Sequence, residues 1–575
     1  MWFTPKVRTH MTDFIIKKLP YDLTSNAGLA LVGQYLRRMD INARVDRPFP
    51  VGIGGIANSD ILKSYLGLLV QGKNDFEAIE AFRGDDFFCR TLGIQRVPSC
   101  ATLRQRMDTH APAWYELADA FNLALLSGNY AGKPVDFGVL PCGYMAVDWD
   151  TFVMNNSGTQ KEGIGRTYQG VDGFTCSATY LGSLGYCLEL ALRPGVQHSA
   201  RETEYNLERV LPMAAKLTPL PLLFRADSGL CADKILKEIS TQATALSREV
   251  ACIIKWNPRN TPVETIAAQK VADPHTIWCH LRQGKRMCMW SEALQIEGVG
   301  TPANPARRVF RLIERTINKH GHPLLLPDYE LEGWTTTLAQ TFTLQDVIDL
   351  YKDHATHEQF HSEFKTDLDL ERLPSGKFET NYLVCAMAAV AMNVLRLMGQ
   401  NALMGKDAPV RHAAKRRRMK TVLQELMFKA GRMIKHAGRW VLGLGANDTV
   451  PIRCLSGCMT SSRPNENENL DRPRAWPECG WLHAHLANTR SCTGVQALLR
   501  LKTGAARKSG VRAYMRARFG GVWRMAAGKI LTMPGLKMKN LACCWRAGRS
   551  VTDSGLLHWF DHCRMSRPLG LAAAR

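Results

Sequence analysis

The chain lacks any run of 18 or more apolar residues, so no membrane span is expected. It also lacks a basic start followed by an apolar stretch and a small-residue cleavage site, so no secretory signal is expected. Its 17 cysteines are scattered without paired CxxC spacing, which argues against a disulfide frame or a zinc ribbon and for reduced thiols in a cytoplasmic setting. Cys454/Cys458 and His558/His562/Cys563 have no second spaced pair to complete a zinc site. Acid is short: 52 Asp and Glu stand against 74 Lys and Arg, a net charge of +22. That excess calls for an anionic partner, and nucleic acid fits it. Most of it lies late in the chain. Residues 451–575 hold 21 Lys/Arg against 6 Asp/Glu, which leaves +7 for the first 450.

What is present can bury a large core, with 45% hydrophobic residues and 22% charged. Residues 1–15 read as an extension. Residues 16–140 read as a helical domain for DNA binding or oligomerisation. It has helices over 26–39, 56–72 and 74–93, the last capped by Asp75 and stopped by Gly93. A further helix starts near Ser99 and Thr102 and carries Arg104 and Arg106, in a helix-turn-helix-like order or a plain packing bundle. From Pro141 the pattern changes to three strands (144–152, 173–182, 186–195), then helix, strand (221–227), helix and strand (249–257). An antiparallel hairpin edge feeding parallel strands through helical crossovers is the expected topology. Residues 259–342 read as a β-rich insertion, and 343–400 as the return to the core with a strongly apolar helix. Residues 401–450 read as a basic helical region, with Arg416, Arg417, Arg418 and Lys420 toward a DNA backbone. The tail, 451–575, has no sustained helical or strand period, and a shift of reading frame would produce such a stretch.

The segment Tyr351–Lys365, YKDHATHEQFHSEFK, carries the chemistry. On a continuous α-helix, Tyr351, His354, Glu358 and Lys365 fall within roughly a 60° arc, with Glu363 about 140° from Glu358. Upstream, Asp148 and Asp150 lie two apart on one strand and so share a face. Asp227 ends the apolar strand before LCADKIL, and Glu358 follows it by 131 residues. Lys161 and Arg166 could contact phosphate or serve as loop charges. Arg225 could simply pair with a carboxylate, and His198 with Glu202 reads as a helix start.

These motifs resemble those of DDE transposases from bacterial insertion sequences, in particular the group with a Tyr-Arg-Glu-Lys pattern spaced Y-x2-R-x3-E-x6-K. The spacing matches at Tyr351, His354, Glu358 and Lys365, with His354 in place of arginine. The wording around Asp150, Asp227 and Glu358 is most like the subgroup whose type element is numbered thirteen-eighty. The resemblance covers about residues 20–450. It implies an α/β, RNase H-like catalytic core and a DDE enzyme with Asp150, Asp227 and Glu358 as catalytic, metal-binding residues, Asp148 being the alternative first acid. It implies Mg²⁺, with Mn²⁺ as a substitute, in a two-metal mechanism of DNA cleavage and strand transfer. Tyr351, His354 and Lys365 would contact DNA phosphates. The implied partners are double-stranded DNA, as terminal inverted repeats and target, and a second copy in a synaptic homodimer. The implied location is bacterial, cytoplasmic and nucleoid-associated. A DNA-binding relic or regulator and a stand-alone nuclease of the same fold are the alternatives.

Overall fold

The computed structural model describes residues 16–130, 132–259, 261–300, 304–405, 408, 412, 414–448, 512–516 and 522–526. The extension 1–15 and nearly all of the 451–575 tail, with its reading-frame reading, lie outside the described residues. Within the tail only a two-stranded antiparallel ladder, Arg512–Arg516 with Val522–Ala526, is described.

The first segment is helical: α1 (Leu29–Arg37), α2 (Ile41–Asp46), α3 (Asn58–Leu69), a 3₁₀ turn (Phe76–Phe82), α4 (Asp86–Leu92) and α5 (Cys100–Leu126). The expected helix over 74–93 is thus two pieces. Asp75 caps the 3₁₀ turn through Glu77 N, and Asp85 caps α4 through Phe88 N. Gly84, at φ 84°, sits between them, and Gly93 closes α4 in the left-handed region. Ser99 caps α5 as expected. Arg106 at its start turns back to Asn58 of α3 at 2.7 Å, and Arg104 lies over the Phe76 ring. Arg106 thus links α5 to α3, while Arg104 stays exposed.

A small ladder, β1 (Asn129–Tyr130) with β2 (Lys133–Pro134), leads to the main sheet. Its strands are β3 (Met145–Asn155), β4 (Gly165–Arg166), β5 (Asp172–Leu181), β6 (Tyr186–Pro194), β7 (Leu222–Ala226) and β8 (Val250–Trp256), with α6 (Thr203–Leu217) and α7 (Asp233–Ala245) as crossovers. β6 pairs β5 and β5 pairs β3, both antiparallel; β3, β7 and β8 then run parallel. The order β6-β5-β3-β7-β8 is the one expected of an RNase H-like core. The insertion opens with a helix that the sequence reading missed, α8 (Val263–Ala272), followed by β9 (Cys279–Arg282), β10 (Lys285–Ala293), β11 (Arg307–Ile317) and β12 (Pro323–Thr336). β12 pairs antiparallel with β8, so the insertion prolongs the core sheet to 10 strands.

The chain returns through α9 (Leu344–Lys352), a 3₁₀ turn (Asp353–Thr356), α10 (His357–Ser362) and a π-turn (Glu363–Asp367), then α11 (Phe378–Ala402). By length and composition α11 could cross a membrane, yet 89% of its apolar window is buried in the protein. Asn393 shows where it sits. Its amide bonds both Cys187 N (2.9 Å) and Cys187 O (2.7 Å) of β6, and Asn122 of α5 (3.0 Å). One apolar core accordingly runs from Leu29 through the sheet to Met427. The described residues of 401–450 do not form one continuous basic helix. After the end of α11, the helical pieces among them are α12 (Met419–Val422) and a π-turn (Leu423–Met427), and β13 (Gly431–His436) pairs with β14 (Arg439–Leu444) as a hairpin. β-branched or aromatic residues such as Ile434, Trp440 and Val441 favour strands there, and Gly438 takes the left-handed turn between them.

Candidate active site

Side chains two apart on β3 share a face, yet Asp148 and Asp150 have different surroundings. Asp148 lies opposite Arg225 in the parallel β3–β7 register. The guanidinium takes both of its carboxylate oxygens, at 2.6 and 2.7 Å, and also donates to Leu350 O at 2.5 Å. Asp150 lies one step further on, beside the end of β7 where Asp227 begins a tight turn and accepts from Gly229 N at 3.0 Å. Asp150 accepts from Thr151 N at 2.7 Å, and its other oxygen is 2.5 Å from His357 Nε2 and 3.9 Å from His361 Nδ1. Asp150, His357 and His361 form the metal-compatible cluster among the described residues.

The glycine turn between β5 and β6 holds α10 in place. Gly185 has φ +70°, and a Cβ there would stand 2.1 Å from the Phe360 ring. Phe360 packs on Tyr180, and His361 stacks on Phe152 of β3 with ring centroids 4.4 Å apart. This anchoring turns the next face of α10, with His357 and His361, toward Asp150.

Burial opposes charge throughout the cluster. It would push the Asp150 carboxyl up, but the His357 hydrogen bond and the nearby imidazoles outweigh it and hold Asp150 below the usual carboxylate range. Asp227 is pushed up, first by burial and then by the Asp150 charge. Burial would lower His357, but Asp150 raises it above an ordinary imidazole. His361 falls to about 3, chiefly through burial, and His354 falls well below its usual value for the same reason and because of His357.

The remaining sequence-predicted residues are dispersed. The 3₁₀ and π turns interrupt the continuous helix assumed for 351–365, so the expected shared face is not formed. Tyr351 is half-buried, with its ring centroid 5.5 Å from that of His354, which is itself buried. Glu358 is exposed, one residue beyond His357. Lys365 pairs with Glu371 at 3.0 Å. Lys161 binds Asn156 at 2.9 Å and the Leu373 carbonyl, and Arg166 meets Asp172 at 3.3 Å. Arg416 lies over the Phe360 ring and bonds Gln359 at 2.7 Å. Arg417 is buried on the Leu403 and His412 carbonyls, and Arg418 is paired with Asp367 at 2.8 Å. Arg416 and Arg418 thus brace the 357–367 segment, while Arg417 ties the residues after α11 together. His357 and His361 were not singled out from the sequence, although their i, i+4 spacing was the available signal.

The family model for the transposase DDE domain, group 1, matches residues 20–448. The chain belongs to this transposase DDE family. Among solved structures it is similar to one described as a piggyBac transposase synaptic complex with hairpin DNA, at 10% identity and TM-score 0.32, over 70% of this chain and 79% of that one. No curated protein matches.

Proposed function

We propose that this transposase cuts DNA at the ends of a bacterial insertion sequence of the thirteen-eighty group and joins them to target DNA, using Asp150 and Asp227 as its first two acids. The observation that carries this reading is the closeness of these carboxylates on adjacent parallel strands, Asp150 within β3 and Asp227 just past the end of β7, near enough for the charge of one to raise the other. Asp148 is the weaker candidate because Arg225 already takes both of its oxygens.

The donor set fits a divalent cation. Asp150 and Asp227 offer hard oxygens that suit Mg²⁺, while the imidazoles beside them suit Mn²⁺ better than Mg²⁺. When bound, such an ion activates the attacking water or 3′-hydroxyl and stabilises the leaving oxygen. Glu358 is the third acid of the reading, because imidazoles add no negative charge against the cation. Among the described residues it has no partner, and to reach Asp150 α10 would have to turn by about one residue, ~100°. As the segment stands, Asp150 accepts a hydrogen bond from His357 Nε2 instead. Tyr351 and Lys365 flank this segment as phosphate contacts, and a second copy completes the synaptic pair.

The rival reading, a relic that binds DNA without cutting it, draws on the outward Glu358 and on His354 in place of arginine. The test is a cleavage and strand-transfer assay on the DNA flanking the gene, with Mg²⁺ or Mn²⁺. Activity that is lost in Asp227→Asn supports the enzyme; end binding with no nicking under either ion supports the relic.

A further inference from the structure

The hairpin β13–β14 is not used by the active site. Its base is fixed to the body: Thr24 and Gly431 exchange backbone hydrogen bonds at 2.9 and 2.8 Å, and Ala27 N donates to Lys429 O at 3.0 Å. Its tip is a two-residue turn, Ala437 (φ 48°) and Gly438 (φ 76°), with both residues in the left-handed region, as a tight hairpin requires. The register divides the side chains. Met433 and Lys435 share one face with Trp440 and Leu442; Arg432, Ile434 and His436 share the other with Arg439 and Val441. The first face is taken. Met433 and Leu442 pack on the main core, and Arg90 of α4 lies 4.2 Å from the Trp440 ring centroid.

The second face is open among the described residues, and its chemistry is one-sided. No acidic residue occurs from Ala430 to Ala446. Neither Arg432 nor Arg439 has an ion pair among the described residues; Arg432 rests on the Tyr21 ring at 3.7 Å. Between them Ile434 and Val441 are 38% and 46% exposed, apolar surface that a solvated ribbon does not need. A two-stranded ribbon fits the ~12 Å major groove of B-DNA, where arginines reach phosphates or guanine and apolar groups meet thymine methyls.

We infer that the Arg432–Ile434–His436/Arg439–Val441 face is a DNA-binding ribbon that docks in the groove of duplex DNA, an inference that rests on the transposase reading. Charge complementarity selects duplex DNA over a second copy of the chain, because two copies of this face would repel.

The test uses the full chain and a fluorescein-labelled 30-base-pair duplex, followed by anisotropy across a salt series. Arg432→Glu with Arg439→Glu should weaken binding at least tenfold and flatten the salt slope by about 2, near 0.9 per lost phosphate contact. Lys216→Glu with Lys237→Glu makes the same charge change on exposed sites of α6 and α7 and should stay within about threefold of the parent. If the reversal unfolds the hairpin, Arg432→Ala with Arg439→Ala should still give a three- to tenfold loss. Equal losses in both reversals, or a parent that binds while the ribbon variants match it, overturn the ribbon alone. A parent that binds no duplex overturns the transposase reading with it. Self-association lost in the ribbon variant, with DNA affinity intact, identifies a second copy as the occupant and also overturns the proposal.

Discussion

Arg225 holds both carboxylate oxygens of Asp148, Nε to Oδ1 at 2.6 Å and Nη2 to Oδ2 at 2.7 Å, with the two side chains 1% and 7% exposed. Such a pair leaves Asp148 no free oxygen for a cation, while removing either partner strands a buried charge. Asp148→Asn should therefore lower stability by about 3 kcal/mol, read as a lowered unfolding midpoint in urea. Asp150→Asn should leave that midpoint within about 1 kcal/mol of the parent while abolishing DNA cleavage. Loss of cleavage in a fully folded Asp148→Asn, with Asp150→Asn still active, would transfer the first-acid role to Asp148.

Glu363 is a carboxylate of a different kind. It meets Arg396 at 2.6 Å with both side chains almost fully buried, and it accepts from Met419 N at 3.0 Å. It ties the π-turn after α10 to α11 and α12. Glu363→Gln leaves the Arg396 charge uncompensated and should cost about 3 kcal/mol. Chemical denaturation of the purified variant reads this directly; a change under 1 kcal/mol would remove Glu363 from the architecture of the segment.

His361 makes the folded chain sensitive to acid. Its folded value of about 3 lies below the ordinary 6.5, so between these pH values the unfolded chain takes up a proton that the folded chain refuses. Stability therefore falls as pH drops from about 6.5 toward 3, by up to roughly 4 kcal/mol. His357 acts in the opposite sense: its folded value is raised, so its contribution is present below 6.5 and fades as pH rises through that folded value. His361→Phe, which keeps an aromatic ring on Phe152, should shift the acid-unfolding midpoint to lower pH. An unchanged acid limb would show that the imidazole is not what refuses the proton.

The core strands were legible because their apolar runs are bounded by turn residues, as with Gly182 and Gly185 around the β5–β6 turn. The place of Asp227, directly after β7, was legible because it ends such a run. The expected helix over 351–365 was not, because a wheel assumes one constant period, and this segment changes period at a 3₁₀ turn before α10 and again at a π-turn after it. The hairpin over 431–444 was hidden by the basic residues around it. A run such as HAAKRRRMK reads as a solvated helix until the tertiary partners of Arg417 and Arg418, two carbonyls and Asp367, are known.

The phase of α10 can be read out by substitution. His357 donates toward Asp150 at 2.5 Å, and Glu358, the next residue, is exposed and has no partner among the described residues. If Glu358 is the third acid, Glu358→Gln should abolish cleavage while preserving DNA binding and the unfolding midpoint, because an exposed, unpaired carboxylate holds no part of the fold. His357→Gln should keep measurable cleavage, and an NMR titration should find in the parent an imidazole raised above its ordinary value that is missing from this variant. Mn²⁺ supplies an independent readout. Its stabilisation of the parent, measured as a rise in Tm with added ion, should be lost in Asp150→Asn and weakened in Glu358→Gln. If Glu358→Gln cleaves like the parent, and His357→Gln loses both cleavage and the Mn²⁺ shift, the third metal-facing position belongs to His357 and the carboxylate assignment fails.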